Sequence, residues 1–111
     1  MYNRHAFFES HEALESLWLK TTTSERNFYK GLIQVAVAML HWSRGNPSGA
    51  LSLYQTSRRY LSGYRPDCCG LDVEAFLNAY DALFRDWKQP PPFAPERVPV
   101  LKWKENAVHS I

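Results

Sequence analysis

Three ionisable residues close to the amino terminus have the types and the spacing that catalysis or metal binding would need: His11, Glu12 and Glu15. His11 and Glu15 are four residues apart, so an α-helix would place them on the same face. A carboxylate in that position can orient an imidazole and raise its basicity, and the pair can also supply two ligands to a divalent metal ion. The third possibility is a structural hydrogen-bonded pair, which we favour because no further catalytic motif accompanies these residues.

The residues around this pair depart from the known helical metal motifs. In the run HEALE, Glu15 stands where the zinc motif H-E-x-x-H requires its second histidine, and the Glu-x-x-His pattern of di-iron proteins is also missing. A metal ion would therefore need another ligand, for which the candidates are Gln34, His41 and Glu12. We expect no cofactor, and a bound divalent metal is the alternative.

The first helix that positions the pair is predicted over about residues 3–20. On a helical wheel the apolar arc is centred on Phe7 and Trp18, and His11 and Glu15 fall inside it. Burying an ionisable pair is costly unless each partner is hydrogen-bonded. We therefore expect a buried or half-buried pair that fixes the register of the first two helices.

Residues typical of helix caps and helix ends predict the next two helices. Ser24 is the expected cap of a second helix that runs to about Arg44, and Gly45 is the expected left-handed stop. Asn46 then caps a third helix, with Pro47 at the favoured first position. So short a connection makes the second and third helices antiparallel neighbours.

The second helix is apolar around most of its circumference, and its polar stripe carries Gln34 and His41. It should be the central helix, in a chain too short to enclose it. We therefore predict a homo-oligomer, with Trp42, Trp87 or Trp103 near the contact.

The remaining chain completes the predicted fold. The third helix ends before Pro66, Asp72 caps a fourth helix, and the run QPPP ends it. The predicted class is all-α, a compact antiparallel four-helix bundle over residues 1–89, with a Pro-rich carboxy-terminal arm over residues 90–111 that docks on the bundle.

Composition limits the classes of function. A chain of 111 residues with 45% hydrophobic residues and a net charge of +2 is typical of one globular domain and points to no polyanionic partner. Nucleic acid is therefore not expected, although five basic and aromatic residues cluster in the third helix: Arg58, Arg59, Tyr60, Tyr64 and Arg65. Without a signal peptide or a membrane span, the protein is expected to be cytoplasmic, with its adjacent cysteines, Cys68 and Cys69, reduced.

Three segments, FFESHEALESLW, RNFYKGLIQVAVAMLHWSRGNPSGA and GLDVEAF, resemble the signatures of the small prokaryotic family known as domain of unknown function 309. The resemblance implies a compact helical bundle without an established activity. The polar residues that match by position are His11, Glu12, Glu15, Arg26 and Gln34. We expect Arg26 to neutralise a carboxylate of the first helix.

The predicted function is self-association or partner binding by a small helical protein. The alternative is a small hydrolase-like or metal-binding protein that uses His11, Glu12 and Glu15 with Gln34 or His41.

Overall fold

The computed structural model describes residues 1–104 and Ile111, and most of these residues are helical. The four α-helices of this described part are α1 (Phe7–Lys20), α2 (Arg26–Ser43), α3 (Pro47–Ser62) and α4 (Val73–Phe84). Two short antiparallel strands, β1 (Asp67–Cys68) and β2 (Leu71–Asp72), lie between α3 and α4. Single 3-10 turns occupy Tyr2–Arg4 and Pro95–Arg97. The predicted helical class is confirmed, whereas the small sheet was not predicted.

The start of α1 differs from the prediction by four residues. Tyr2–Arg4 forms a 3-10 turn, and His5 adopts the left-handed conformation with φ of 65°. A left-handed residue cannot continue an α-helix, so α1 begins at Phe7 instead of near Asn3.

The predicted cap of α2 was wrong. Glu25 occupies the N-cap position, and no side chain caps this end. The backbone carbonyl of Ser24 instead accepts a hydrogen bond of 2.6 Å from the hydroxyl of Tyr64. Ser24 therefore contributes to a long-range contact, which local propensity cannot indicate.

The turn between α2 and α3 matches the prediction. Gly45 has φ of 75°, and the side chain of Asn46 accepts a hydrogen bond of 3.1 Å from the backbone N–H of Gly49. Pro47 is the first residue of α3. These features satisfy a free backbone donor of α3 and reverse the chain within a few residues.

The segment between α3 and α4, for which no strands were predicted, forms a tight hairpin. Its two central residues, Cys69 and Gly70, have φ of 53° and 85°, as the two-residue turn of a type I′ hairpin requires. Asp72 then caps α4 as predicted, accepting a hydrogen bond of 2.9 Å from the N–H of Ala75. α4 itself ends at Phe84, before the prolines.

The core surrounds α2. This helix packs against α1 on one side and α3 on another, and α3 packs against α4. The carboxy-terminal tail also contributes: Val98 and Leu101 are buried, and the carbonyl of Pro91 accepts a hydrogen bond of 2.9 Å from the indole N–H of Trp42. The chain thus covers much of α2 itself, although it was expected to be too short to enclose this helix. The division at residue 89 stays a prediction.

α2 and α3 approach each other closely at Gly31. A Cβ atom on this residue would lie 2.9 Å from two side-chain atoms of Leu61 and 3.2 Å from Cβ of Tyr60. Leu61 is fully buried and has little room to move. A glycine is therefore required here by packing, although its φ is that of an ordinary helix.

We predict that Gly31→Ala destabilises the protein. Overpacking a tight interface costs about 1–3 kcal/mol, which outweighs the gain of about 1 kcal/mol that alanine brings to a helix interior. Gly63→Ala is the matched control, because the nearest atom to a Cβ there is 3.8 Å away and φ is −74°. Urea unfolding should show a lower free energy of unfolding for Gly31→Ala than for Gly63→Ala, and equal values would refute the packing argument.

Candidate functional site

The predicted pair forms, but at the surface of the protein. The distance from Nε2 of His11 to Oε2 of Glu15 is 3.3 Å, and their side chains are 27% and 50% exposed. The face of α1 that enters the core instead carries Phe7, Ser10 and Leu14. The expectation of a buried or half-buried pair thus holds for His11 but not for Glu15. Neither side chain makes a hydrogen bond or ion pair to α2 within the described residues, so the expected role in fixing the register of α1 and α2 has no support from these contacts.

The helical wheel failed because two large apolar residues of α1 do not face the core. Phe8 is 47% exposed and Leu19 is 64% exposed. Counting them as core residues moved the centre of the predicted apolar arc toward His11 and Glu15. The true arc lies farther round the helix and includes the small, fully buried Ser10.

Two shallow grooves run along this outer side of α1. One, of about 310 Å³, is lined by Phe8, His11, Glu12, Glu15, Ser16 and Leu19. The other, of about 250 Å³, lies between α1 and α2 and is lined by Glu15, Trp18, Lys30, Ile33 and Gln34. Glu15 belongs to both grooves, so they form one continuous surface. The structure thus brings Gln34 to the same region as the His11–Glu15 pair.

Three buried polar atoms near these grooves have no hydrogen-bond partner among the described residues. They are Nδ1 of His11, Nε1 of Trp18 and Oε1 of Gln34. A buried polar atom without a partner costs about 1–3 kcal/mol, and each such atom in a folded protein calls for an explanation. Trp18 and Gln34 line the same groove with a donor and an acceptor, which makes the groove a candidate binding surface.

Arg26 does not have the role predicted for it. Its guanidinium lies 4.0 Å from the centroid of the Trp18 ring, and the ammonium of Lys30 lies 5.0 Å from the same centroid. No ion pair of Arg26 occurs within the described part of the chain. The expected neutralisation of a carboxylate is replaced by a cation–π contact, which helps to hold α2 against α1.

His41 belongs to the turn between α2 and α3. Its Nδ1 lies 3.1 Å from the side-chain nitrogen Nδ2 of Asn46. Its ring is 3.2 Å from the position that a Cβ on Gly49 would occupy. Residues 1–104 and 111 contain no group of three or more His, Cys, Asp or Glu side chains arranged to hold a metal ion. Of the candidate further ligands, His41 does not join the pair, whereas Glu12 and Gln34 lie in the same region. The metal hypothesis therefore loses its one further histidine.

A second polar cluster joins α3 to α4, and sequence reasoning missed it. The Asp81 carboxylate accepts hydrogen bonds of 2.7 and 3.0 Å from the Arg58 guanidinium and one of 2.6 Å from the Tyr54 hydroxyl. Beneath it, the hydroxyls of Ser57 and Tyr80 are 2.8 Å apart and buried. The sequence pattern groups Arg58 only with its basic neighbours, and nothing in it pairs Arg58 with the Asp81 carboxylate, 23 residues away.

The charges of this cluster adjust the pKa values of its members. Burial alone would raise the pKa of the Asp81 carboxyl, but the hydrogen bonds from Arg58 and Tyr54 outweigh it and leave the pKa below its ordinary value. Burial, with the Asp81 carboxylate, raises the pKa of Tyr54 to about 12. Tyr54 therefore remains a donor at neutral pH, and the cluster is a closed structural network.

The two cysteines lie side by side on the hairpin. Their Sγ atoms are 3.2 Å apart, and both residues are partly buried. Burial, together with the neighbouring Cys69, raises the pKa of the Cys68 thiol to about 12. Burial and the same two thiols also raise the pKa of Tyr29 to about 12. The pair is therefore a thiol site in contact with an aromatic residue of α2.

The fold and these contacts define a small, mostly helical protein. Residues 1–53 match the family model described as Domain of unknown function (DUF309). Together with the relative described next, this match supports assignment of the chain to the DUF309 family, and the resemblance noted in the sequence is confirmed. None of the described helices is long and apolar enough to cross a membrane.

A relative from Bacillus subtilis (strain 168), the uncharacterized protein YpuF, is 41% identical over 81 residues. The alignment covers 70% of this chain and 47% of the relative, so the chain spans about half the length of the curated relative it matches. No solved structure matches the chain significantly. Neither the family description nor the name of the relative states an activity.

We predict that Glu15→Ala changes stability by no more than about 0.5 kcal/mol, the usual value for an exposed pair four residues apart on a helix. Leu14→Ala, at the adjacent and fully buried position, should cost about 2–5 kcal/mol. Thermal melts of the two variants provide the comparison. A large loss for Glu15→Ala would mean that the pair carries a packing role that its exposure does not indicate.

The Asp81 network predicts a pH-dependent contribution to stability. Because the folded-state pKa of Asp81 lies below the unfolded value of about 3.9, this contribution is present above that value and is lost as pH falls through the folded pKa. Asp81→Asn should therefore lower the free energy of unfolding by about 1 kcal/mol near neutral pH, with a smaller difference from wild type in acid. Urea unfolding across this pH range, with exposed Asp86→Asn as control, measures the effect. A difference that does not depend on pH would contradict the assignment.

Proposed function

We propose that the protein acts as a homo-oligomer, in which the outer side of α1 and the adjoining edge of α2 bind a second copy. This surface, here called the α1–α2 face, comprises Phe8, Glu12, Glu15, Trp18, Leu19, Lys30, Ile33 and Gln34. The observation that carries the proposal is the exposure of Phe8 and Leu19 beside a groove with unpartnered polar atoms. We also propose that the four helices form an antiparallel bundle and that the protein works in the cytoplasm.

The bundle proposal rests on the connections and packing of the helices. α2 and α3 are joined by three residues and pack closely along their length, which favours antiparallel neighbours. Trp18 of α1 lies against Arg26 and Lys30, near the start of α2. The end of α1 therefore meets the beginning of α2, as an antiparallel pair requires.

The apolar residues of the α1–α2 face favour a protein partner over solvent. Leu19 and Phe8 are 11 residues apart on one helix, which separates them by about 16 Å along the helix axis. These two large side chains line the groove that contains His11, and burying each in an interface would stabilise association by about 1–2 kcal/mol. Trp42 and Trp87, which had been expected at the contact, are buried in the core of one chain.

The charges on this face favour a second copy as the partner. Glu12 and Glu15 lie on α1, whereas Lys30 lies on α2, and Arg26 adjoins the face over the ring of Trp18. A twofold axis between two such faces would set the carboxylates of each copy opposite the cations of the other. This arrangement is self-complementary, as a symmetric dimer needs.

The groove adds hydrogen-bonding capacity to the same face. Nε1 of Trp18 and Oε1 of Gln34 are buried atoms of residues that line the groove, and neither atom has a hydrogen-bond partner among the described residues. A small shift of either side chain on association would bring these atoms to the interface, where groups of the second copy would pair with them. The alternative is a hydrolase or metal-binding protein that uses His11, Glu12 and Glu15 with Gln34 or His41. It has less support, because His41 contacts Asn46 and only Gln34 of these two lies near the pair.

Sedimentation equilibrium tests the proposal. The wild-type chain should sediment at about twice its mass of 12.9 kDa, and Phe8→Asp or Leu19→Asp should sediment as monomers, because a buried carboxylate opposes association. Val100→Asp is the matched control, since Val100 is an equally exposed apolar residue (53%) outside the α1–α2 face. A wild-type chain that remains monomeric at high concentration would rule out the homo-oligomer, and dissociation by Val100→Asp alone would place the contact elsewhere.

A further inference from the structure

We propose that Cys68 and Cys69 form a two-sulfur chelating site for a trivalent thiophilic metalloid of the arsenic(III) class. The site lies on the hairpin between α3 and α4, away from the α1–α2 face, and it does not depend on the proposed oligomer. The geometry that points to it is the 3.2 Å separation of the two Sγ atoms.

The backbone holds the two thiols in position before any ligand binds. Cys69 and Gly70 both occupy the left-handed region, which fixes the turn of the hairpin. The hairpin is held in turn by the carboxy-terminal tail: the N–H of Lys104 donates to the carbonyl of Gly70 at 2.7 Å, and the N–H of Asp72 donates to the carbonyl of Lys102 at 3.0 Å. A chelate formed here loses little conformational entropy on binding.

Chelation suits this pair better than a disulfide does. Adjacent residues joined by a trans peptide have Cα atoms about 3.8 Å apart, whereas disulfides usually need about 4.4–6.8 Å. A bond between Cys68 and Cys69 would therefore be strained and easily reduced. A bound atom can bridge the two sulfurs at their present separation, without drawing them to the bonding distance of a disulfide.

The separation of the sulfurs also selects the kind of bound atom. With sulfur bonds of about 2.3 Å, as in zinc thiolates, two sulfurs 3.2 Å apart subtend about 90° at the bound atom, less than the roughly 109° of a tetrahedral zinc site. Structural zinc also needs four ligands, and the described residues offer no group of three or more His, Cys, Asp or Glu side chains. Trivalent arsenic has a lone pair and three pyramidal bonds close to right angles, so two adjacent thiols and one organic group complete its coordination.

The binding step balances without an oxidant or a reductant. An organoarsenic dihydroxide, R–As(OH)₂, exchanges its two As–O bonds for As–S bonds to Cys68 and Cys69. Each thiol proton leaves with a hydroxyl group, so two molecules of water are released and arsenic remains trivalent. Both cysteines are only partly buried, which leaves access for a small reagent.

Phenylarsine oxide, which hydrates to such a dihydroxide, is the probe for a binding experiment on the reduced 111-residue chain. Intact-protein mass spectrometry should show one phenylarsenic group per chain with the loss of two thiol hydrogens, and a thiol assay should fall from two to none. Competition with a small dithiol measures affinity. The wild-type chain should bind on the order of 100-fold more tightly than Cys68→Ser or Cys69→Ser, because the second sulfur binds intramolecularly.

Two comparisons make the test decisive. Circular dichroism should show that both serine variants are folded, and equal affinity of a folded variant and the wild type would overturn the proposal. The wild-type chain unfolded in urea keeps its adjacent thiols but loses the hairpin, so it should bind more weakly than the folded chain. Equal affinity of the folded and unfolded chains would also overturn it, because the hairpin would then contribute nothing.

Discussion

The close approach of α2 to α3 at Gly31 is the constraint on which the rest of the structure depends. Because no side chain stands between the helices there, Leu61 lies directly against the backbone of α2. The turn at Gly45 and Asn46 returns α3 along α2 so that this contact can form. α3 thereby covers one side of α2, and α1 and the tail cover other sides of it. This accounts for the burial of a mostly apolar helix within so short a chain.

The same arrangement leaves α1 with more apolar surface than the core can accept. A helix that packs with one side against a small core buries only one stripe, and in α1 that stripe follows Phe7, Ser10 and Leu14. Phe8 and Leu19 lie outside it, next to the His11–Glu15 pair. The polar pair and the exposed apolar residues therefore share one surface as a consequence of how α1 packs. The candidate functional site is therefore this exposed surface of α1 and not an enclosed cavity.

Features that depend on neighbouring residues could be predicted from the sequence, and features that depend on distant residues could not. Asn46 and Asp72 cap their helices through bonds to residues three positions away, so both were identified correctly. Ser24 has the same propensity, but its carbonyl is engaged by Tyr64, 40 residues away. In the candidate site the spacing of His11 and Glu15 predicted their contact, whereas their exposure depends on which stripe of α1 the core accepts. Arg58 and Asp81 meet only after α3 and α4 have packed.

The His11–Glu15 pair and the Asp81 network consequently differ in whether they can fix the register of two helices. The His11–Glu15 pair lies within one helix, so it would form whatever the position of α1 relative to α2. The Asp81 carboxylate receives both Arg58 and Tyr54 from another helix, and its two-pronged contact with the guanidinium tolerates little sliding of α3 past α4. Directional polar bonds therefore specify the register of α3 against α4. The register of α1 against α2 depends instead on packing and on the contacts of Arg26 and Lys30 with the ring of Trp18. Cation–π contacts are less directional than paired hydrogen bonds, so α1 is the helix whose position a partner could most readily adjust.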